Sequence, residues 1–153
     1  MEGITQAELL TSITKGLQDV KFNELPDVRR AREDFRSVCT SANVVVTSNL
    51  DWMSMTRNGQ RLNDCLVVPF NVETGASRFP ASKVKVDDPK MYIAIVCYQE
   101  GTPIDVLLVQ AAMLKKIKAK LDKNTGEYVF KCKNIKHPKL QQYSFGVVVG
   151  QFR

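Results

Sequence analysis

Residues 52–70 read WMSMTRNGQRLNDCLVVPF, and the Asn58-Gly59 pair inside them decides how the rest of the chain is read. Side chains alternate over residues 52–57 in the manner of a strand with one inward face. Asn and Gly tolerate the two positive φ angles of a two-residue hairpin turn, so the chain is expected to return antiparallel through Cys65 to Phe70.

Downstream of this hairpin the strand pattern continues. Glu73-Thr74-Gly75 reads as a turn, and Lys83-Val84-Lys85-Val86 alternates like an edge strand guarded by outward lysines. Residues 91–98 and 104–110 are the two most apolar runs, joined by Gln99-Glu100-Gly101-Thr102-Pro103, and are expected at the sheet centre. Residues 111–114 suggest a short helical turn. After it, Ile117, Ala119 and Leu121 alternate with Lys116, Lys118 and Lys120 as a strand. Residues 122–127 have turn chemistry, with Gly126 suited to a left-handed position. Tyr128, Phe130 and Cys132 then alternate with Val129, Lys131 and Lys133, which predicts a hairpin with one lysine face and an aromatic inner face. Residues 143–152 read as a final apolar strand.

Upstream, the periodicity is helical. Thr5 and Glu8 have capping-box spacing, in which each side chain satisfies a free amide at a helix start. Leu9, Leu10, Ile13 and Leu17 follow at helical intervals. Pro26 suits a first helical position and opens a second helix, with Val28, Ala31, Phe35 and Val38 on one face and Arg29, Arg32 and Arg36 on another. Residues 43–47 form a β-branched run expected to be a buried strand. The predicted fold class is α+β: two N-terminal helices packed on a largely antiparallel β-sheet of about six to eight strands. At 153 residues the chain is expected to form a single domain, 1–153.

Composition narrows the function classes. No run approaches the roughly 18 apolar residues of a membrane span, so no membrane partner is expected. The first residues lack a basic stretch followed by an apolar core, which predicts no secretory signal and a cytoplasmic location. Cys39, Cys65, Cys97 and Cys132 are spread evenly without a C-x-x-C pair, and three of them sit in apolar runs, as buried structural thiols do. The one histidine, His137, precedes a proline in a lysine-rich loop, which excludes a two-histidine zinc site and suggests a solvated side chain. No glycine-rich phosphate cradle precedes a helix, and no cofactor is expected.

Charge is the most informative feature. Residues 1–110 carry 12 Lys/Arg against 14 Asp/Glu, whereas residues 111–153 carry 10 against 2, giving that last stretch a charge of +8. Nine of the ten cations are lysines, which act as point charges rather than as the fork that reads a base edge. The preferred reading is a non-enzymatic nucleic-acid-associated protein that binds the phosphate backbone non-specifically through Lys116, Lys118, Lys120, Lys131, Lys133 and Lys136. The plainer alternative is a solvated sheet face, since alternating strands must show polar side chains to water. Glu33 and Asp34 among the helix arginines are likewise explained by intrahelical ion pairs.

Two other classes have residues of their own. Glu33 on a helix, Asp64 at a strand start and the later Asp88-Pro89-Lys90 give an order that resembles the PD-(D/E)xK nuclease family over residues 33–98. That resemblance implies magnesium-dependent phosphodiester hydrolysis, or an inactive relative of such a nuclease, although Asn63 stands where the family's pattern has a proline. A protein-interaction module, such as an inhibitor, adaptor or assembly subunit, or a homo-oligomer would use the edge at residues 83–86 or the Trp52-Met53-Met55 cluster. For that cluster, core packing is the commoner fate.

Overall fold

The computed structural model describes residues 22–49, 51–132 and 138–151. The helix expected from Thr5 falls outside these residues, as do Lys133, Lys136 and His137.

A 3-10 turn, Phe22–Glu24, leads into helix α1, Pro26–Ser41, whose first position is the proline. Proline has no amide hydrogen to lose there, and its φ is already helical. Val28, Ala31, Phe35 and Cys39 form the buried stripe. The helix ends where Asn43 takes a left-handed φ of 61°, a conformation Asn tolerates better than most side chains. There the Val44 amide donates back to Cys39 O at 2.8 Å.

Among the described residues eight strands follow: β1 Val45–Asn49, β2 Trp52–Arg57, β3 Gln60–Asn71, β4 Ala76–Pro80, β5 Met91–Gln99, β6 Thr102–Gln110, β7 Lys120–Asp122 and β8 Glu127–Lys131. The hairpin expected at Asn58-Gly59 forms between β2 and β3, with φ of 53° and 76° at the two turn residues. Strand β3 organises the sheet. One edge receives β2 and, at Asn71, β4; the other receives β5 in parallel from Asp64↔Met91 to Asn71↔Tyr98. All the other strand pairings are antiparallel. From β4 the sheet continues through β8 to β7.

The alternation along the central strands divides the interior into two cores. Ile93, Ile95 and Cys97 of β5 join Leu66, Val68 and Phe70 of β3 on one face. Ala94, Val96 and Tyr98 join Cys65 and Val67 on the other. The second face is covered by α1 and by helix α3, Phe145–Gln151. The first is covered by Phe79 of β4, Phe130 of β8, a 3-10 segment at Ala111–Ile117, and Leu140 from the short helix α2, Pro138–Gln141.

Several expectations are corrected. The described helices are α1, α2 and the C-terminal α3: of the two expected N-terminal helices only the second, α1, lies within the described residues, and the C-terminal helix is unexpected. The stretch expected as a final strand is α3, because Phe145, Val148 and Val149 are buried at i, i+3 and i+4 while Val147 stays exposed. Strand β6 is not central. It pairs only with β5 among the strands, and its free edge is capped by a Leu107↔Ser144 bridge and by Leu108 N–H donating to Tyr143 O at 2.7 Å. Both its faces are apolar because α3 and the 3-10 segment cover them. Pro103 fits there, since an edge strand can spare a donor.

Residues 83–86 are no strand either. A 3-10 turn occupies Ala81–Lys83, the Lys83 carbonyl accepts from Trp52 Nε1 at 2.7 Å, and Lys85 Nζ lies 4.3 Å from the centre of the Trp52 ring. Met53 and Met55 are fully buried and belong to the core, whereas Trp52 of the same cluster is only partly buried. The run at residues 43–47 yields β1, an edge strand whose only buried residue is Val46.

Candidate nucleic-acid interface

Of the six lysines expected to form a binding surface, the structure describes Lys116, Lys118, Lys120 and Lys131, and all four are exposed. They do not share one strand. Lys116 lies on the 3-10 segment, and Lys118 follows it in a left-handed conformation with φ of 60°, where its amide donates to Lys115 O at 3.1 Å. Only Lys120 begins a strand. It stands opposite Val129 in the β7–β8 pair, and Lys131 lies two residues further along β8 on the same outward face. Diagonal neighbours of this kind have Cα atoms about 7–8 Å apart. Tyr128 and Phe130 point inward as expected, Phe130 tilted against Phe70 at 5.3 Å and Tyr128 against Phe79 at 5.7 Å.

The strained residue has a consequence for stability. A side chain at φ near 60° is disfavoured, and glycine removes that penalty at some entropic cost in the unfolded chain. Lys118→Gly is expected to raise stability by about 0.5 kcal/mol in urea unfolding. A lower midpoint would mean that the lysine stem contributes more packing than its backbone stores as strain.

The sequence reading missed Arg78, on the same outward face of β4. Its alternation with buried Ser77 and Phe79 was the signal available. Arg78 Nη1 lies 3.3 Å from Asp122 and 3.7 Å from Glu127, the two acids of the last 43 residues. Asp122 is held below the usual carboxylate range, first by the Asn124 amide and then by Arg78. Both acids are thus engaged by an arginine from an earlier strand. No ion pair among the described residues involves Lys116, Lys118, Lys120 or Lys131.

The α1 arginines have surroundings of their own. Arg30 is committed to neighbours: it stacks 4.8 Å from the centre of the Tyr98 ring, lies 3.7 Å from Asp34 and donates to Gly101 O. Tyr98 in turn donates to Asp34 Oδ2 at 2.6 Å, and burial followed by this bond pushes its phenol up. Arg29, Arg32 and Arg36 face a groove of about 450 Å³ between α1 and the β1 edge, lined also by Glu33 and Ser48. Burial, then the charge of Arg36, lowers the pKa of Arg32. A larger cavity, about 640 Å³, lies at the start of α1 between Arg30, Arg78, Asn71 and Tyr98.

The acidic residues of the nuclease resemblance are partly brought together. The Asp64 amide donates to Lys90 O at 2.9 Å where β3 and β5 begin side by side, and Asp88 Oδ1 accepts from the Lys90 amide at 2.9 Å. The Asp64 carboxylate is occupied by Ser54 Oγ at 2.7 Å and by Arg61 at 3.6 Å, and Glu33 lines the α1 groove. Among the described residues no three of His, Cys, Asp and Glu come together as a metal-holding group. Nor is any described helix long and apolar enough to cross a membrane. Cys39, Cys65 and Cys97 are buried thiols. No protein-family model matches this chain, and no curated protein is similar to it.

Proposed function

We propose that the protein is a non-enzymatic binder of nucleic-acid phosphate backbone, acting without sequence preference through the lysines around the β7–β8 hairpin. The observation that carries this reading is the exposure of Lys116, Lys118, Lys120 and Lys131 together with their lack of ion-paired carboxylates among the described residues. A solvated face of ordinary composition intersperses both signs of charge. Here Arg78 takes up the two nearby acids, and the ammonium groups are left to interact with an external polyanion. Lysine supplies charge without a planar fork, which fits backbone contact rather than base reading. Lys133 and Lys136 extend the same proposal from the sequence. A cytoplasmic setting goes with it, since that compartment keeps thiols such as these four reduced.

Retardation of a labelled duplex at several salt concentrations tests the reading. Three to four neutralised phosphates predict that log K falls against log salt with a slope of about −3, equally for duplexes of unrelated sequence. Reversing three charges, Lys116→Glu, Lys120→Glu and Lys131→Glu together, is expected to abolish retardation. Absence of binding at low salt, or binding that survives the triple reversal, removes the proposal.

A further inference from the structure

The groove between α1 and β1 gathers several guanidinium groups of one helix. Arg32 and Arg36 are one helical turn apart, a spacing at which like charges repel. Each is anchored by neutral acceptors: Arg32 Nη1 donates to Asp51 O at 3.3 Å, and Arg36 donates to Val46 O at 3.5 Å and to Ser48 Oγ at 3.1 Å. The nearest carboxylates, Asp51 and Glu33, act on Arg32 through their charge, but among the described residues neither forms an ion pair with it. Asp51 lies 3.0 Å from Lys83, and Asp34 is shared between Arg30 and Tyr98. Glu33 lines the groove, yet no ion pair among the described residues joins it to Arg29, Arg32 or Arg36. Arg36 Nε is buried and has no acceptor among the described residues. Four arginines and one glutamate line the cleft; with Arg30 paired to Asp34, the remaining Arg29, Arg32 and Arg36 against Glu33 leave a local charge of +2 open to solvent.

We propose that this groove is a binding site for a dianionic phosphate monoester, with Arg32 and Arg36 presenting paired forks to its oxygens and Arg29 adding charge at the rim. Guanidinium groups recognise phosphate through parallel N–H···O bonds, and a fixed fork loses little freedom on binding. The charge match separates this ligand from the nucleic-acid backbone, whose diesters carry one charge each. The site shares no residue with the lysine surface. Binding should follow the second ionisation of the phosphate, near pH 6, strengthening as the dianion forms.

Calorimetric titration of the full chain at fixed ionic strength tests this, with phenyl phosphate and inorganic phosphate as dianionic probes and dimethyl phosphate as the monoanionic diester. Saturable binding of both dianions at pH 7.5, at least tenfold weaker at pH 5 and absent for the diester, is expected. Arg36→Lys, which keeps the charge and loses the fork, is expected to weaken binding about tenfold, and Arg32→Gln at least as much. The triple lysine reversal should leave phosphate affinity unchanged, so failure of the backbone proposal and failure of this one are separable. Equal heats for diester and monoester, no saturable binding by the folded wild-type chain, or the same affinity in Arg32→Gln and Arg36→Lys as in wild type would overturn the assignment.

Discussion

Phe35→Ala is expected to destabilise the protein by about 3–5 kcal/mol, the usual range for removing a fully buried aromatic ring. Phe35 has no exposed surface and holds three elements together. Its ring meets Phe145 of α3 edge-on at 6.4 Å and 85°, and in the same core it joins Cys39 of α1 and Val67 and Val96 of the central strands. A helix can shift only a little into the space left behind, because its neighbours Ala31 and Cys39 are also fully buried against the sheet. Against a total stability of roughly 5–15 kcal/mol the loss is large, and in thermal unfolding it corresponds to a drop of about 10 °C or more. Urea midpoints for Phe35→Ala and for Phe35→Leu, which retains most of the apolar volume, provide the comparison. A change under about 1 kcal/mol for the alanine variant would mean that α1 is not docked on the sheet through this ring.

The elements legible in the sequence are those decided within a few residues. Pro26 and the apolar stripe of α1 locate that helix, Asn58-Gly59 fixes the β2–β3 turn, and Tyr128 and Phe130 show the inner face of β8. What stayed hidden depends on distant partners. Three consecutive valines at residues 147–149 favour a strand locally, and only the docking of Phe145 and Val149 on the α1 face makes the helix the better burial. Residues 83–86 alternate like a strand, yet their first carbonyl is taken by the Trp52 indole and Val84 is drawn into the core. An apolar run on both faces marks a covered strand, without saying whether another strand or a loop covers its edge; in β6 it is Tyr143 and Ser144.

The same distinction governs the two cationic surfaces. The excess of lysine after residue 110 is visible as composition, but its division among a 3-10 segment, a left-handed cap and a three-residue strand is set by tertiary packing of Leu114, Ile117 and Ala119. On α1 the spacing of Arg32 and Arg36 is written in the sequence. That their acceptors are the carbonyls of Val46 and Asp51 and the hydroxyl of Ser48, rather than carboxylates, is written only in the contact between α1 and the β1 edge.

The buried thiols make the fold sensitive to alkali. Burial pushes Cys39 and Cys97 from 9.0 to about 12, and Cys65 is raised as well by burial and by the neighbouring Cys39 and Asp64. Between these limits the unfolded chain releases a proton that the folded chain retains, so stability falls as pH rises, by about 1.4 kcal/mol per pH unit for each such thiol. The contribution is fully present below about pH 9 and disappears as pH passes through about 12, amounting to roughly 4 kcal/mol for each of Cys39 and Cys97. Unfolding in urea under reducing conditions at pH 8, 9.5 and 11 should show this decline. The double variant Cys39→Ala, Cys97→Ala starts from a lower stability because of the lost volume, but its slope above pH 9.5 should be shallower by about 3 kcal/mol per pH unit. Lysine and tyrosine titrations are common to both proteins and cancel in that difference. Parallel lines for the two proteins would show that these thiols ionise as readily in the folded state as in the unfolded one, which is incompatible with their burial between the sheet and the layers that cover it.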